Sequence, residues 1–352
     1  MKSNYDILGN HIRLIDTRNR ESITDRVLGI NIDKFFMPSV ANVIGTDLSK
    51  YKLITKGKFA CNPMHVGRDE RLPVALYDEE EPAIVSPAYF MFEVVDNSIL
   101  NEDYLMMWFR RPEFDRICWL HTDGSVRGGI TWDDICRLEL PIPPIENQLE
   151  IVNSYKAITE RIALKQKIND NLDDTAQTLY QKYFESNSDK SSWKQGTVGD
   201  VLQLQRGHDL PRTEMTGGKY PVAGSTGTIG YHDEFTAEAP VIVMGRSGNI
   251  GNPRLYLCNC WTHNTSLYVK QIYEAEPLWV FYLLKNLNYD GFVGGSAVPT
   301  LNRNDVHAYG IAIPPLELQK SFSQKVMSLI YCKEENLSEI EKLQELQKII
   351  LT

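Results

Sequence analysis

The feature that most constrains the fold of this chain is an internal repeat built around two Pro-Pro pairs. Residues 141–148 read PIPPIENQ and residues 312–319 read AIPPLELQ, so the two segments lie 171 residues apart. The same offset aligns Gln148 with Gln319. A match that extends beyond the prolines indicates a duplicated unit, and duplication predicts two similar domains in one chain.

Upstream of the Pro-Pro pairs the two copies differ in length. Asp134 aligns with Asp305 at the same offset, whereas residues 8–10 (LGN) resemble residues 198–200 (VGD) at an offset of 190. The first copy is therefore about 19 residues longer than the second. Such a difference is typical of loop insertions, which surface connections tolerate well.

Each Pro-Pro pair is followed by a long amphipathic run. No Pro or Gly occurs from Ile145 to Ser192, and apolar residues recur there every three or four positions. This pattern predicts a helix of about 40 residues, which would be about 60 Å long. After Pro315 a similar stripe extends from Phe322 to Ile350 and predicts a second long helix. Because each apolar stripe needs a partner, we expect the two helices to pair with each other.

The segments before the two helices have a different pattern. They hold short β-rich runs separated by Gly, Asn and Asp, with one helix predicted near Asp103–Arg110 and another near Pro277–Leu284. The predicted fold class is α/β of the α+β type, with two α/β domains, two long antiparallel coiled-coil helices and a pseudo-two-fold internal repeat. The predicted divisions are a first globular domain at 1–140, a Pro-Pro turn with long helix and linker at 141–192, a second globular domain at 193–312, and a second Pro-Pro turn and helix at 313–352.

Composition excludes several classes of protein. Apolar residues make up 42% of the 352 residues and charged residues 24%, which is typical of globular domains. The longest apolar run, Leu278–Leu284, is far too short to cross a membrane, and the N-terminal residues lack a signal-peptide pattern. Six cysteines over this length do not form a disulfide framework. We therefore expect a cytoplasmic protein with no membrane partner.

Motifs for enzymatic chemistry are missing. The glycine-rich segments 224–230 and 245–251 lack the lysine of a phosphate-binding loop, so strand-connecting turns are the favoured interpretation. Cys258 and Cys260 are one residue apart with no second cysteine pair, which is poor spacing for zinc. We expect no catalytic residue, no metal and no cofactor in this chain.

The order of these segments resembles that of the specificity (S) subunits of type I restriction–modification systems. The resemblance covers nearly the whole chain and rests on the turns at Ile142–Gln148 and Ile313–Gln319, each opening a long helix. Segments 86–89 (SPAY) and 243–251 (VMGRSGNIG) are similar to those in the target-recognition domains of that family. The second helix ends close to Thr352, which leaves less surface for a second partner than a longer segment would.

The resemblance implies a non-enzymatic protein that reads an asymmetric, bipartite site in double-stranded DNA, one half with each globular domain. The paired helices would set the spacing and dock methyltransferase (modification) subunits, two of them in the complex. Restriction/translocase subunits would attach through these. S-adenosylmethionine, ATP and Mg are then expected on the partner subunits and not on this chain.

Candidate DNA-binding residues are Arg, Lys, His, Tyr and small polar side chains on loops of the two globular domains, since these side chains contact phosphates and base edges. In the first domain the candidates are Arg18, Arg20, Lys58, Asn62, His65, Arg68, Tyr89 and Arg127. In the second they are Arg206, His208, Arg212, Ser225, Thr226, Arg246, Asn249, Asn264 and Arg303.

Charge does not favour strong DNA binding by the chain alone. The whole chain carries a formal charge of −9. Residues 1–140 hold 17 basic and 22 acidic groups, and residues 193–312 hold 9 basic and 10 acidic groups. Because neutralisation of phosphates supplies most non-specific affinity for DNA, we expect basic partner subunits to provide much of the DNA-binding affinity of the complex.

Two other classes of function are compatible with parts of the sequence. A coiled-coil scaffold that presents two ligand-binding domains without DNA specificity agrees with the acidic surface. A single-chain enzyme would need catalytic residues that the sequence does not offer. Failure to bind any duplex, with or without partners, would favour the scaffold.

Overall fold

A computed structural model describes residues 4–41, 43–64, 66–122, 128–289, 293–294 and 300–351. The chain divides into two compact units, Met1–Leu164 with Ile340–Thr352, and Lys165–Glu339. Each unit combines small sheets, short helices and part of both long helices, so the predicted α+β class is confirmed.

Short strands make up the sheets of unit 1. They are β1 Tyr5–Ile7, β2 Ile12–Leu14, β3 Val27–Ile30, β4 Phe36–Pro38, β5 Lys52–Ile54, β6 Phe59–Cys61, β7 Val74–Leu76, β8 Ala83–Val85, β9 Phe90–Val94 and β10 Glu139–Pro141. Two four-stranded sheets have the orders β2-β9-β6-β7 and β4-β3-β8-β5, and β1 pairs with β10.

Five α-helices begin in the described part of unit 1, and the last of them continues into residues of unit 2. They are α1 Val66–Asp69, α2 Glu102–Phe109, α3 Pro112–Leu120, α4 Trp132–Cys136 and α5 Ile145–Tyr180. Phe59 and Phe92 stack at 5.0 Å on the sheet, and Phe109 of α2 meets both rings edge-on. This aromatic cluster is the centre of the main core of unit 1.

Unit 2 has longer strands. They are β11 Lys194–Thr197, β12 Leu202–Arg206, β13 Tyr220–Gly224, β14 Gly227–His232, β15 Val241–Gly245, β16 Gly251–Tyr256, β17 Trp261–Thr262, β18 Ser266–Ile272, β19 Val293–Gly294, β20 Thr300–Leu301 and β21 Gly310–Ile313. Its helices are α6 Pro277–Lys285, α7 Arg303–His307 and α8 Leu316–Leu351. The main sheet has the order β12-β18-β15-β16, and β14-β13-β17 forms a second sheet.

The repeat seen in the sequence is also present in the strand pairing. β1 pairs with β10 in unit 1, and β11 pairs with β21 in unit 2, both antiparallel and both just before a Pro-Pro turn. Helices α2 and α6 lie where the sequence predicts helices, and α5 and α8 are each 36 residues long. The prediction of two long helices after the Pro-Pro turns is therefore confirmed.

Within unit 2 the segments of α5 and α8 run antiparallel and share polar contacts. Asn336 donates to the side-chain oxygen of Asn169 at 2.9 Å, and Lys165 donates to that of Asn336 at 2.8 Å. Lys333 and Asp173 form an ion pair at 2.5 Å. Lys165 and Asn336 are 171 residues apart, so positions that are equivalent in the repeat face each other.

A buried glutamine joins each Pro-Pro turn to its globular part. The Gln148 side chain accepts from the Asn101 amide at 2.9 Å and donates to the Ile99 and Pro143 carbonyls, both at 2.8 Å. Asn101 is the residue before α2, so the glutamine fixes the start of that helix. Because both the oxygen and the nitrogen of the carboxamide are hydrogen-bonded, burial of Gln148 leaves no unsatisfied polar atom in its side chain.

Gln319 repeats this arrangement in unit 2. Its side chain accepts from the Glu276 amide at 2.9 Å and donates to the Pro314 carbonyl at 2.8 Å. Glu276 is the residue before α6, and Gln319 is 1% exposed. The two glutamines that align in the sequence therefore perform the same structural task.

We predict that Gln148→Leu and Gln319→Leu each lower the free energy of unfolding by about 3 kcal/mol, because a similar-sized apolar side chain leaves buried backbone groups without partners. Chemical denaturation measures the loss. Gln166→Leu, at an exposed position of α5, is the matched control and is expected to change the value by no more than about 0.5 kcal/mol. Equal free energies of unfolding for all three variants would contradict a stabilising role of the two glutamine hydrogen-bond networks.

Candidate nucleic-acid interface

Five loops of unit 2 meet around residues 263–265. The Asn264 carbonyl accepts from Arg206 Nε at 3.4 Å, and the Thr265 carbonyl accepts from the Arg246 amide at 3.0 Å. The Thr265 hydroxyl accepts from the Ser225 amide at 3.3 Å. Loops that are far apart in the sequence are thereby held side by side.

The turn between β15 and β16 is the centre of this loop cluster. The Arg246 carbonyl accepts from the Leu301 amide at 2.8 Å, and Asn249 Nδ2 donates to the Ser225 carbonyl at 3.2 Å. A Cβ on Gly245 would lie 1.5 Å from the Asn249 carbonyl oxygen, so only glycine permits this close turn. As predicted, segments 224–230 and 245–251 connect strands, since each spans a β-hairpin turn.

Three arginines predicted from the sequence line one cavity in this cluster. We call it the arginine cavity: it has a volume of about 460 Å³ and is lined by Arg206, Arg246, Leu267, Thr300, Leu301, Asn302 and Arg303. No carboxylate is among these lining residues. Asp209 is an ion-pair partner of Arg206, at 3.6 Å. A cavity with three guanidinium groups is suited to an anion such as a phosphodiester.

His307 ties together the two elements that carry Arg206 and Arg303. Its Nε2 accepts from the Leu204 amide of β12 at 2.9 Å, two residues before Arg206. Arg303 begins α7, the same short helix that ends at His307. Burial lowers the pKa of the His307 imidazole, and the Arg303 charge lowers it further, so the ring stays neutral and can accept this bond.

Seven of the nine candidate residues of the second domain lie on the connected loops, His208 adjoins them through the bond from its amide to the Thr262 carbonyl, and Arg212 lies on a separate segment. The seven on the connected loops are Arg206, Ser225, Thr226, Arg246, Asn249, Asn264 and Arg303. His208 packs against the rings of Trp261 and Tyr268, each at 6.2 Å, and Arg212 lies in an exposed single turn of 3-10 helix. Asn264 is bonded to Asp209 through its side chain.

Arg254 is a basic residue of this region that sequence reasoning missed. Its guanidinium lies against the 225–227 turn, because a Cβ on Gly227 would be 1.7 Å from Arg254 Nη1. Gly227 also has φ +122°, which disfavours other residues. Arg254 belongs to the strand β16, and a search restricted to loops passes over it. The signal that could have found it is its position directly after the glycine-rich segment.

The candidates of the first domain are mostly bound to neighbouring groups. Arg18 pairs with Asp16 at 2.6 Å, Lys58 pairs with Glu93, and Arg68 pairs with the adjacent Asp69. Arg20 is exposed. None of these side chains lines either of two cavities of unit 1, of about 540 and 530 Å³.

The remaining candidates of the first domain have other surroundings. The Asn62 side chain accepts from the Met64 amide at 3.1 Å, as in a local turn. Burial raises the pKa of the Tyr89 hydroxyl, and its ring packs on the smaller core of unit 1. His65 and Arg127 lie outside the described residues.

Within the described ranges no group of three His, Cys, Asp or Glu side chains is placed to hold a metal ion. Cys260 is buried and Cys258 is exposed, so the two thiols do not lie on the same buried face. No helix in the described part of the chain is both long and apolar enough to cross a membrane.

Comparison with known proteins points to one family. Residues 190–349 match the family model described as the type I restriction modification DNA specificity domain. The chain is 21% identical over 396 aligned positions to the MjaX type I restriction enzyme specificity subunit of Methanocaldococcus jannaschii, covering 100% of this chain and 88% of that protein. It is 24% identical to the HindI specificity subunit of Haemophilus influenzae, over 54% of this chain and 40% of that one.

Solved structures share the fold. The S subunit of a type I restriction–modification system from M. genitalium superposes with a TM-score of 0.62 at 16% identity, covering 99% of this chain and 94% of that one. A chain from a structure of the type I restriction–modification system, described for its complex assembly and conformational transition, gives a TM-score of 0.52 at 16% identity, with coverages of 99% and 96%. The resemblance to type I specificity subunits that the sequence predicts is confirmed.

We predict that the His307 pKa lies below 6.5 and that His307 makes unit 2 less stable in acid. Because the folded state binds this proton less readily, the stability it contributes is present above about pH 6.5 and is lost as the pH falls through the lower, folded pKa. NMR titration of the ring and denaturation at several pH values measure both effects. In His307→Gln, whose amide oxygen can accept the same bond, this part of the pH dependence is expected to vanish. A titration midpoint above 6.5 would contradict the assignment.

Proposed function

We propose that this chain is the DNA sequence-specificity subunit of a type I restriction–modification complex and is not itself an enzyme. The observation that carries the proposal is the arginine cavity, which lies within the segment that matches the DNA specificity domain family. The fold shared with S subunits along nearly the whole chain supports it.

In the proposed mechanism, each globular domain reads one half of a bipartite site in double-stranded DNA. Residues 1–140 and 193–312 are the two target-recognition domains, and the segments 141–192 and 313–352 provide the long helices that set the spacing. Because the two domains differ in length and in loop residues, the two half-sites differ in sequence.

Some loop residues of unit 2 bind the DNA backbone, and others contact bases. Arg206, Arg246 and Arg303 hold a phosphodiester group in the arginine cavity, since guanidinium groups bind phosphate oxygens in pairs. Thr226 is exposed at the tip of the neighbouring hairpin, so its hydroxyl is placed to contact a base edge once the phosphate fixes the register. The Asn249 side chain on the adjacent turn binds the Ser225 carbonyl and Asn252, and it holds the loops together.

Partner subunits supply the chemistry. Methyltransferase subunits, two in the complex, dock on the paired helices, and restriction/translocase subunits attach through them. S-adenosylmethionine, ATP and Mg belong to those partners, and the complex works in the cytoplasm. The net negative charge of the chain supports this assignment of roles to the partners, because the chain alone does not offer DNA a net positive charge.

The experiment that tests the proposal is a map of methylated bases in the native host, with and without this chain. We expect methylation to disappear from one asymmetric bipartite motif when the chain is removed and to return when it is restored. An unchanged pattern in a host whose methyltransferase subunit is expressed would overturn the proposal.

We predict that Arg246→Gln in the assembled complex weakens DNA binding by a similar factor for target and non-target duplexes. Loss of one phosphate contact is also expected to reduce the slope of log affinity against log salt by about 0.9. Lys219→Gln, at an exposed position outside the arginine cavity, serves as the control. A loss confined to the target duplex, with the salt slope unchanged, would assign Arg246 to base contact instead.

A further inference from the structure

The β3–β4 loop of unit 1, residues 31–35, is anchored by a buried lysine. Lys34 has φ +68°, an unusual value for a residue with a side chain, and its amide donates to the Asn31 carbonyl. Its Nζ donates to the Phe109 carbonyl at 2.5 Å and to Asp115 Oδ1 at 2.7 Å. The loop is therefore attached to the end of α2 and to α3 at one point.

This anchor holds apolar side chains out in solvent. Desolvation lowers the pKa of Lys34, which shows that burial of its charge opposes the Asp115 pairing. Nevertheless the anchored loop keeps Ile32 37% exposed and Phe35 49% exposed. At the end of α3, Trp119 and Leu120 are also exposed. Groups of exposed large apolar residues on a fixed scaffold are typical of interaction sites.

Two cavities adjoin these residues. One, of about 540 Å³, has Ile32, Arg116 and Trp119 in its lining, and the other, of about 530 Å³, has Phe35. Lys34 and Arg110 line both, so the two cavities are neighbours. We define the α3 patch as five residues that line these cavities together with the exposed Leu120 next to Trp119: Ile32, Phe35, Arg110, Arg116, Trp119 and Leu120.

The charge in the first cavity is not balanced. Lys34 pairs with Asp115, and Arg71 pairs with Asp33 at 2.7 Å. Among the charged groups of this lining, Glu70 alone remains to offset two further arginines of the α3 patch. The structure shows no ion pair between either of those arginines and another described residue, and both are exposed. A net positive cavity in a chain of charge −9 is complementary to an acidic group.

We propose that the α3 patch docks a segment of a partner protein that carries carboxylates beside an apolar side chain. The exposed Trp119 and Phe35 favour protein over DNA, because aromatic residues with arginine are enriched at the centres of protein interfaces whereas DNA interfaces are more polar. The inference rests on the proposed function for the identity of that partner, which is the methyltransferase subunit. The patch would add a contact on the first recognition domain to the contacts on the paired helices.

Binding of the full-length chain to its methyltransferase subunit, measured by titration calorimetry, tests this surface. We expect the charge-reversal variant Arg110→Glu with Arg116→Glu, and separately Trp119→Ala, to raise the dissociation constant about tenfold or more. The matched control is Lys50→Glu with Arg137→Glu, which changes two exposed basic residues of unit 1 outside both cavities. Thermal midpoints equal to wild type would show that the patch variants are folded.

Each outcome decides between distinct explanations. Wild-type affinity in both patch variants would overturn the proposal while leaving the proposed function standing. Unchanged assembly together with weaker DNA binding by the assembled complex would assign the two arginines to phosphate contact and also overturn it. If the wild-type chain itself does not bind the methyltransferase subunit, the proposed function fails and this inference fails with it.

Discussion

The buried carboxamide at the end of each Pro-Pro motif is the contact on which the rest of the architecture depends. Gln148 and Gln319 each reach the amide that precedes a short helix and a proline carbonyl of the turn. Only a neutral side chain that both donates and accepts can make these bonds together. The globular part of each unit is thus fixed to the first turn of a long helix, and the orientation of its loops on that helix follows from this attachment.

The helices could be predicted from the sequence because their information is local. An apolar residue every three or four positions, a proline pair before and no glycine within are enough to give α5 and α8. The loop cluster could not be predicted in the same way. Arg206 becomes a neighbour of Arg246 because its guanidinium binds the Asn264 carbonyl while the Arg246 amide binds the Thr265 carbonyl, and this depends on the strand order β12-β18-β15-β16. A list of candidate arginines contains both residues without showing that they meet.

The two units use their basic residues differently. In unit 1 the predicted candidates Arg18, Lys58 and Arg68 are held by carboxylates, which restrict their side chains and offset their charge. In unit 2 the arginine cavity has no carboxylate in its lining. Within this cavity Arg206 is paired with Asp209, whereas Arg246 and Arg303 form no ion pair with another described residue. Fewer ion pairs therefore have to break before an anion can bind in unit 2.

The loops around the arginine cavity are fastened largely by main-chain atoms. The Arg246 amide and carbonyl bind Thr265 and Leu301, while the side chains of Arg246 and Thr226 take no part in these bonds. A substitution at either side chain therefore leaves the loop framework in place. Mutation can therefore change the chemistry of this surface one side chain at a time while the loops that carry it keep their backbone contacts.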